Sequence, residues 1–338
     1  MKITFFEVPE SEQVFLKEAF PGMELFFSPQ KLDEENIVLA EDAEVVSVFV
    51  NSVMNAAVLD RLPKLKLIAT RSTGFDHIDV QHATEKGIVV SNVPGYGSRT
   101  VAEFAFALLL NLSRKVHLAN QELREEGDFS IFPYRGFDLF GKTLGVIGTG
   151  RIGKNAIDMA KGFGMNVLAY DLHPDVAFAA EKGVTYLTLD ELLAASDVIT
   201  LHAPYTKENH HLLNKEKFGL MKKGVYIINT ARGELIETDA LVSALGDGIV
   251  AGAGLDVLEG ERALKEEMEI VSDPEKRDSI KDYKTLFENH VLMDLPNVIV
   301  TPHIAFYSKE AEAEIIKTTI SNIAGDLGGT LGNQVKVS

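Results

Sequence analysis

The chain contains no cysteine, which excludes disulfides, thiolate metal sites and cysteine nucleophiles but leaves the redox compartment open. Long hydrophobic runs are missing too. The greasiest stretch, residues 104–110, falls far short of a membrane span. The opening MKITFFEVPESE turns acidic after a handful of apolar residues instead of building the apolar core of a signal peptide. Basic charge is in deficit: 33 Lys and Arg stand against 50 Asp and Glu, a formal net charge of −17. Such a surface repels polyanions, so neither nucleic acid nor an anionic membrane is expected as a partner, and only a local basic cleft for a small acid is left open. The expectation is a cytoplasmic enzyme or binding protein.

What is present fits a globular α/β protein. At 338 residues, 46% hydrophobic and 25% charged, the chain is too long for one small core and suited to two domains. Strand-like runs at 3–8, 25–27, 45–50, 65–70 and 88–91 alternate with helical patterns near 12–20, 55–61 and 80–86, a rhythm that predicts a mostly parallel sheet. The Pro/Gly-rich stretch 92–97 then ends a strand and marks a crossover, followed by an apolar helix over 100–112 with Ser98 or Thr100 as its N-cap. Further strands are expected at 144–147, 166–170, 184–187, 198–201, 226–229, 250–257 and 298–301, with helices at 151–163, 189–195, 215–221 and 238–245. From 261 to 295 the sequence is charged and irregular, which suggests a solvated insertion with some helix. An amphipathic helix over 308–327, capped by Ser308, is expected to return to the first domain. The expected domains are 1–98 with 302–338, and 99–301 inserted between them, so that two crossovers frame a cleft.

The second domain opens on TLGVIGTGRIG, residues 143–153. Gly148, Gly150 and Gly153 make a G-x-G-x-x-G turn between a buried strand and a helix. Glycine lets a pyrophosphate approach the backbone, and the helix start offers N–H groups and a positive dipole end. Such turns also serve purely structural roles, but the strand that follows ends at Asp171, at the distance of an acidic residue that accepts the ribose hydroxyls of a dinucleotide. Leu172 follows it where a 2′-phosphate would need a cation, which favours NAD over NADP.

Three residues at later strand ends suit hydride transfer to a 2-oxo acid. Arg232 can grip a carboxylate with its planar fork, His303 can exchange a proton with a carbonyl oxygen, and Glu261 can accept the second ring N–H of that histidine. Taken singly, each has an ordinary structural alternative: a surface ion pair, a strand-end histidine, an exposed carboxylate.

Together with the motifs around them they resemble the D-isomer-specific 2-hydroxyacid dehydrogenases. The matches are Arg71-Ser72-Thr73-Gly74-Phe75-Asp76, Asn92-Val93-Pro94-Gly95-Tyr96, the 148–153 loop, His202-Ala203-Pro204, Asn229-Thr230-Ala231-Arg232-Gly233, Leu255-Asp256-Val257 and Thr301-Pro302-His303. Tyr96, the ending His303-Ile304-Ala305-Phe306-Tyr307 and the long segment after Glu261 look like the D-lactate dehydrogenase branch. The resemblance implies a Rossmann NAD domain inserted into a flavodoxin-like substrate domain, both doubly wound. It implies Arg232 on the substrate carboxylate, His303 as acid/base and Glu261 as its partner. It also implies backbone groups of Thr73 and Gly74 on the carboxylate, Tyr96 and Phe306 around a short side chain, and pyruvate and D-lactate as the pair interconverted. For NAD it implies Arg151 and Ile152 at the pyrophosphate, Ala203, Pro204, Asn209, Thr230 and Ala231 along the nucleotide, and Asp256 near the nicotinamide. No metal is expected. A homodimer through the nucleotide domain, with the apolar face of helix 101–112 as a contact, is expected. Glyoxylate, hydroxypyruvate or another 2-oxo acid is the alternative substrate, and a dinucleotide-sensing binding protein is the alternative of another class.

Overall fold

Every residue of Val45–Val48 and Leu67–Thr70 is buried, the mark of strands covered on both faces. In a computed structural model that describes residues 1–265, 283–330 and 332–336, these are β3 and β4 of a five-stranded parallel sheet. Its other members are β1 (Lys2–Phe5), β2 (Glu24–Phe27) and β5 (Val89–Ser91), in the order β2-β1-β3-β4-β5. Successive residues of one strand feed opposite faces. Val46 and Ile68 join Phe6, Leu32 and Val58 on one side, whereas Val45 and Leu67 join Ile3, Phe5 and Leu16 on the other. Helices α1 (Glu10–Ala19), α2 (Ala56–Asp60) and α3 (Val80–Glu85) complete this part of the chain.

The chain divides into two compact units, Met1–Tyr96 with Tyr307–Ser338, and Gly97–Phe306. The last helix, Lys309–Leu327 (α13), is capped by Ser308, whose side chain accepts from the Ala311 N–H. It returns to the first sheet, where Ile323 is fully buried beside Ile3, Phe5 and Leu16. Burying a side chain of that size stabilises by roughly 1.5–3 kcal/mol, enough to hold the chain end to the sheet it left more than two hundred residues earlier.

The second unit is a seven-stranded parallel sheet ordered β12-β11-β10-β9-β6-β7-β8. Its strands are β6 (Thr143–Ile147), β7 (Asn166–Tyr170), β8 (Thr185–Tyr186), β9 (Val198–Leu201), β10 (Val225–Asn229), β11 (Val250–Leu255) and β12 (Val298–Val300). The order reverses between β6 and β9, the doubly wound pattern of a dinucleotide sheet. Its helices are α4 (Ser98–Arg114), α5 (Val116–Glu126), α6 (Arg151–Gly162), α7 (Val176–Lys182), α8 (Leu189–Ala195), α9 (Lys215–Gly219), α10 (Thr238–Gly246), α11 (Glu261–Lys265) and α12 (Tyr283–Asp294). The interior of the charged stretch, 266–282, lies outside the described residues.

One local expectation is corrected. Helix α4 begins at Ser98 with Gly97 at the cap position and no capping side chain, so neither Ser98 nor Thr100 caps it. Most of its apolar face is turned into its own unit, whereas Ala107 is exposed and Phe104 and Leu110 are part-exposed. Ala102, Ala105, Leu108, Leu109 and Leu112 pack into the core of their own unit with α6 and the sheet, and a Cβ on Gly254 of β11 would come within 2.9 Å of Leu108. Helix α5, absent from the sequence expectations, buries no residue; its apolar side chains Val116, Ala119 and Leu123 follow helical spacing and stay at the surface, with Val116 and Leu123 exposed. Among the described residues, no helix is long and apolar enough to cross a membrane.

Candidate active site

The glycine loop sits at the topological switch point, between the carboxyl ends of β6 and β9, where open α/β sheets hold ligands. Each glycine has its own reason. Gly148 has φ +90°, and a Cβ there would lie 2.5 Å from Ala203 N; a Cβ on Gly153 would lie 2.0 Å from Gly148 O. Gly150, by contrast, faces nothing within 4 Å. Two glycines thus permit the tight strand-to-helix packing, and the third keeps open the approach in front of the α6 N-terminus. Arg151 and Ile152 begin α6, and their N–H groups belong to the first turn, which has no intrahelical acceptor.

Asp171, just past β7, is built into this loop. Its Oδ2 accepts the Thr149 N–H at 2.6 Å and the Thr149 hydroxyl at 2.9 Å, and its Oδ1 accepts the His173 N–H at 2.8 Å. Partial burial is the largest influence on this carboxyl and pushes it up. The bonds from His173 and Thr149 together outweigh it and hold the group below the usual carboxylate range.

Across the switch point, His202 follows β9, with its N–H on Ile147 O at 2.7 Å. Its Nε2 meets Thr200 Oγ1 at 2.9 Å, while the buried Nδ1 has no partner among the described residues. Burial pushes this imidazole down to about 4, so it is neutral at physiological pH. Just past the end of β10 the Thr230 hydroxyl is likewise buried without a partner among the described residues. Two orphaned polar atoms beside a glycine-lined opening and an anchored carboxylate are what a dinucleotide fits. Ala203 and Pro204 continue from His202, and Pro204 O accepts the Asn209 side-chain amide at 2.8 Å while Asn209 Oδ1 accepts the Thr206 N–H at 2.7 Å. The Asn209 side chain therefore ties its own turn.

Strands β10, β11 and β12 are neighbours and end at one edge, and the residues that follow them are Arg232, Glu261 and His303. Buried Asn229 shapes the first turn: its Oδ1 accepts the Ala231 N–H at 3.0 Å and its Nδ2 donates to Arg232 O at 2.8 Å. Arg232 Nη1 donates to Ala231 O at 2.7 Å. A Cβ on Gly233 would lie 2.0 Å from the Leu258 carbonyl carbon, so only glycine lets the arginine turn press against the segment leading to Glu261. His303 Nδ1 lies 3.1 Å from each carboxylate oxygen of Glu261. The histidine has φ +57°, a left-handed conformation that costs a residue with a Cβ on the order of 1–3 kcal/mol.

Asp256 holds that conformation. Its Oδ1 accepts the Thr301 hydroxyl at 2.6 Å and the Ile304 N–H at 2.9 Å, and its Oδ2 accepts the Ala305 N–H at 2.8 Å. Burial, the dominant influence, raises this carboxyl despite the bonds from Thr301, Ala305 and Ile304. Sequence reasoning singled out Asp256 by motif alone; its work as the clamp of the histidine loop needed the fold. Glu259, which the sequence reading did not single out, receives His211 Nε2 at 2.7 Å and the Thr238 hydroxyl at 2.8 Å. His210, His211 and Glu259 place three donor atoms within 4.8 Å. The His210 and His211 rings stack at 3.8 Å and 25°.

In the first unit Thr73 is anchored by its hydroxyl on Val93 O at 2.8 Å, and its carbonyl accepts the Asn92 amide at 2.9 Å. The main-chain N–H groups of Thr73 and Gly74 have no acceptor among the described residues. Tyr96 is the last residue of this stretch, and Phe306 the last of the second unit, beside Gly97.

A family model described as D-isomer specific 2-hydroxyacid dehydrogenase, NAD binding domain, matches residues 106–305. A 2-hydroxyacid dehydrogenase homolog of Haemophilus influenzae is 41% identical over 327 residues, covering 96% of this chain and 95% of that protein. A D-lactate dehydrogenase of Escherichia coli is 39% identical over 343 residues, covering 99% and 100%. Among solved structures, the D-lactate dehydrogenase of Aquifex aeolicus complexed with NAD and lactic acid matches with a TM-score of 0.88 at 38% identity, over 99% of this chain and 100% of that one. The chain belongs to the D-isomer-specific 2-hydroxyacid dehydrogenase family. Within it, the chain falls with the D-lactate dehydrogenase branch, and it is an NAD-dependent oxidoreductase; a sensor without chemistry is set aside.

Proposed function

We propose that this enzyme interconverts pyruvate and D-lactate. The Glu261–His303 pair carries the proposal, because it leaves one ring nitrogen with a defined task. An ionised carboxylate only accepts, so His303 Nδ1 bears the hydrogen and Nε2 is the atom that exchanges a proton with substrate. Bound NAD(H) supplies or accepts the hydride. For reduction, His303 starts protonated and delivers its Nε2 proton to the carbonyl oxygen; for oxidation it starts neutral and takes the hydroxyl proton. Arg232 grips the carboxylate and polarises the carbonyl through its fork. Thr73 and Gly74 offer N–H groups to the carboxylate, and Tyr96 and Phe306 bound a small side chain. For the cofactor we assign the pyrophosphate to Gly148, Gly150, Arg151, Ile152 and Gly153, and the ribose to Asp171. Ala203, Pro204, Asn209, Thr230 and Ala231 line the nucleotide, with Asp256 behind the nicotinamide end.

Pyruvate is supported by the D-lactate dehydrogenases among the relatives and by the bulk of Phe306. Steady-state kcat/KM over pyruvate, glyoxylate, hydroxypyruvate and bulkier 2-oxo acids tests it. Pyruvate is expected to lead with NADH; a larger value for any other acid would replace it. We further infer a cytoplasmic homodimer. With most of the apolar face of α4 buried internally, the contact is assigned to residues 116–140, where Phe129, Ile131 and Phe132 are more than three-quarters exposed.

A further inference from the structure

Asp171 is reached by a chain of hydrogen bonds whose direction is fixed at both ends. The Asp175 main-chain N–H lies 3.2 Å from the Tyr186 hydroxyl, which lies 2.8 Å from Thr149 Oγ1, which lies 2.9 Å from Asp171 Oδ2. An amide N–H can only donate, and an ionised carboxylate can only accept. Tyr186 therefore accepts from Asp175 and donates to Thr149, and Thr149 donates to Asp171. Every hydroxyl proton in the chain has one place to go.

Each end is also tied to an element of the nucleotide fold. Asp175 caps α7 through the Phe178 N–H at 3.0 Å and receives Lys154 of α6 at 2.6 Å. Thr149 lies between the first two glycines and is itself buried. The carboxylate is consequently held by the glycine loop, by β8 through Tyr186 and by its own turn through His173. Thr149 occupies both lone pairs of Oδ2, whereas Oδ1 accepts only the His173 N–H and keeps one lone pair to offer. An acceptor fixed in place in this way suits a ribose hydroxyl. A carboxylate that cannot swing aside also meets a 2′-phosphate with full repulsion.

We propose that Tyr186 and Thr149 are positioning residues for cofactor choice: their directed hydrogen bonds lock the Asp171 carboxylate, before NAD arrives, in the orientation in which Oδ1 accepts a ribose hydroxyl and the carboxylate rejects NADPH. The assignment rests on Asp171 as the ribose acceptor proposed above. It predicts a particular kinetic pattern. Tyr186→Phe removes the donor to Thr149 while keeping the ring, and Thr149→Val removes the donor to Asp171 while keeping the shape. Each is expected to raise the KM for NADH, by about fivefold for Tyr186→Phe, the worth of one neutral hydrogen bond, and by about tenfold or more for Thr149→Val, which loses a bond to a charged carboxylate, and to narrow the preference for NADH over NADPH, with kcat at saturating NADH retained. Thr149→Ser keeps the hydroxyl and is expected to restore both values.

The experiment is steady-state kinetics with NADH and NADPH on these three variants and on Asp171→Ala, each with its thermal midpoint. If Tyr186→Phe and Thr149→Val lower the midpoint but leave the NADH KM and the NADH/NADPH ratio at wild-type values while Asp171→Ala changes both, the positioning role is overturned and the ribose acceptor stands. If Asp171→Ala changes neither, the ribose assignment itself falls. Failure of Thr149→Ser to restore the ratio also overturns the proposal, because the hydroxyl is then not the operative group.

Discussion

The His303 ring is held at one nitrogen by Glu261 and at its Cα by a left-handed backbone, and together these set where the other nitrogen points. His303→Ala is expected to abolish most of kcat, a loss of at least 100-fold for a general acid/base. Arg232→Lys keeps the charge but loses the fork, so kcat is expected to fall and KM to rise together. Steady-state kinetics with pyruvate and NADH checks both; near-normal kcat/KM in either removes that residue from the mechanism. His202 governs stability instead. Its folded value of about 4 lies below the ordinary value of about 6.5, so the unfolded chain binds the extra proton. The stability this neutral ring contributes is complete above about pH 6.5 and is lost as pH falls towards 4, by about 3 kcal/mol. Urea unfolding of wild type and His202→Gln over that window is expected to show a steeper acid loss for wild type; parallel curves would mean that the histidine titrates normally. Arginine, glutamate and histidine were visible as candidates in the sequence because their chemistry is in the side chain. The clamps Asn229 and Thr301 were not, because nothing marks a polar residue as a clamp until its partners are in place.

At the scale of elements, the strand–glycine–helix unit around 143–153 behaves as three separate tolerances. Gly153→Ala drives a methyl into the Gly148 carbonyl, a clash with backbone that cannot yield. It is expected to lower the thermal midpoint by an amount equivalent to roughly 1–3 kcal/mol. Gly150→Ala meets no protein atom, so it is expected to fold normally and to weaken NADH binding several-fold, read by fluorescence titration. Unchanged NADH affinity there would place the pyrophosphate elsewhere. Strand positions were legible from short apolar runs bounded by turns, and the final helix from its Ser308 cap and isoleucine spacing. The α4 cap was misread because serine and threonine cap many helices, whereas here a glycine precedes the first turn. Helix α5 was missed although Val116, Ala119 and Leu123 recur at helical spacing, because the stripe is short and is broken by polar residues.

At the scale of the whole molecule, a net charge of −17 sits beside an apolar patch at 129–132. Patches of that kind on an otherwise charged protein mark association. Phe129→Glu with Phe132→Glu is expected to convert a dimer into a monomer in sedimentation, with the thermal midpoint of the monomer retained; a wild-type monomer at working concentration would remove the dimer. The positions of the strands along the chain, the glycine fingerprint and the acidic residue after β7 could be read from the sequence, because they depend on local propensity and on spacing along the chain, whereas the order of the strands in each sheet came from the structure. What only the tertiary structure decided depends on residues brought together from afar. Glu261 meets His303 across 42 positions and Asp256 clamps Ile304 across 48, Tyr186 reaches Thr149 across 37, and α4 buries most of the apolar face that the sequence offered to a partner. Periodicity tells a helix which face is apolar, but not whether its own sheet or another molecule will cover that face.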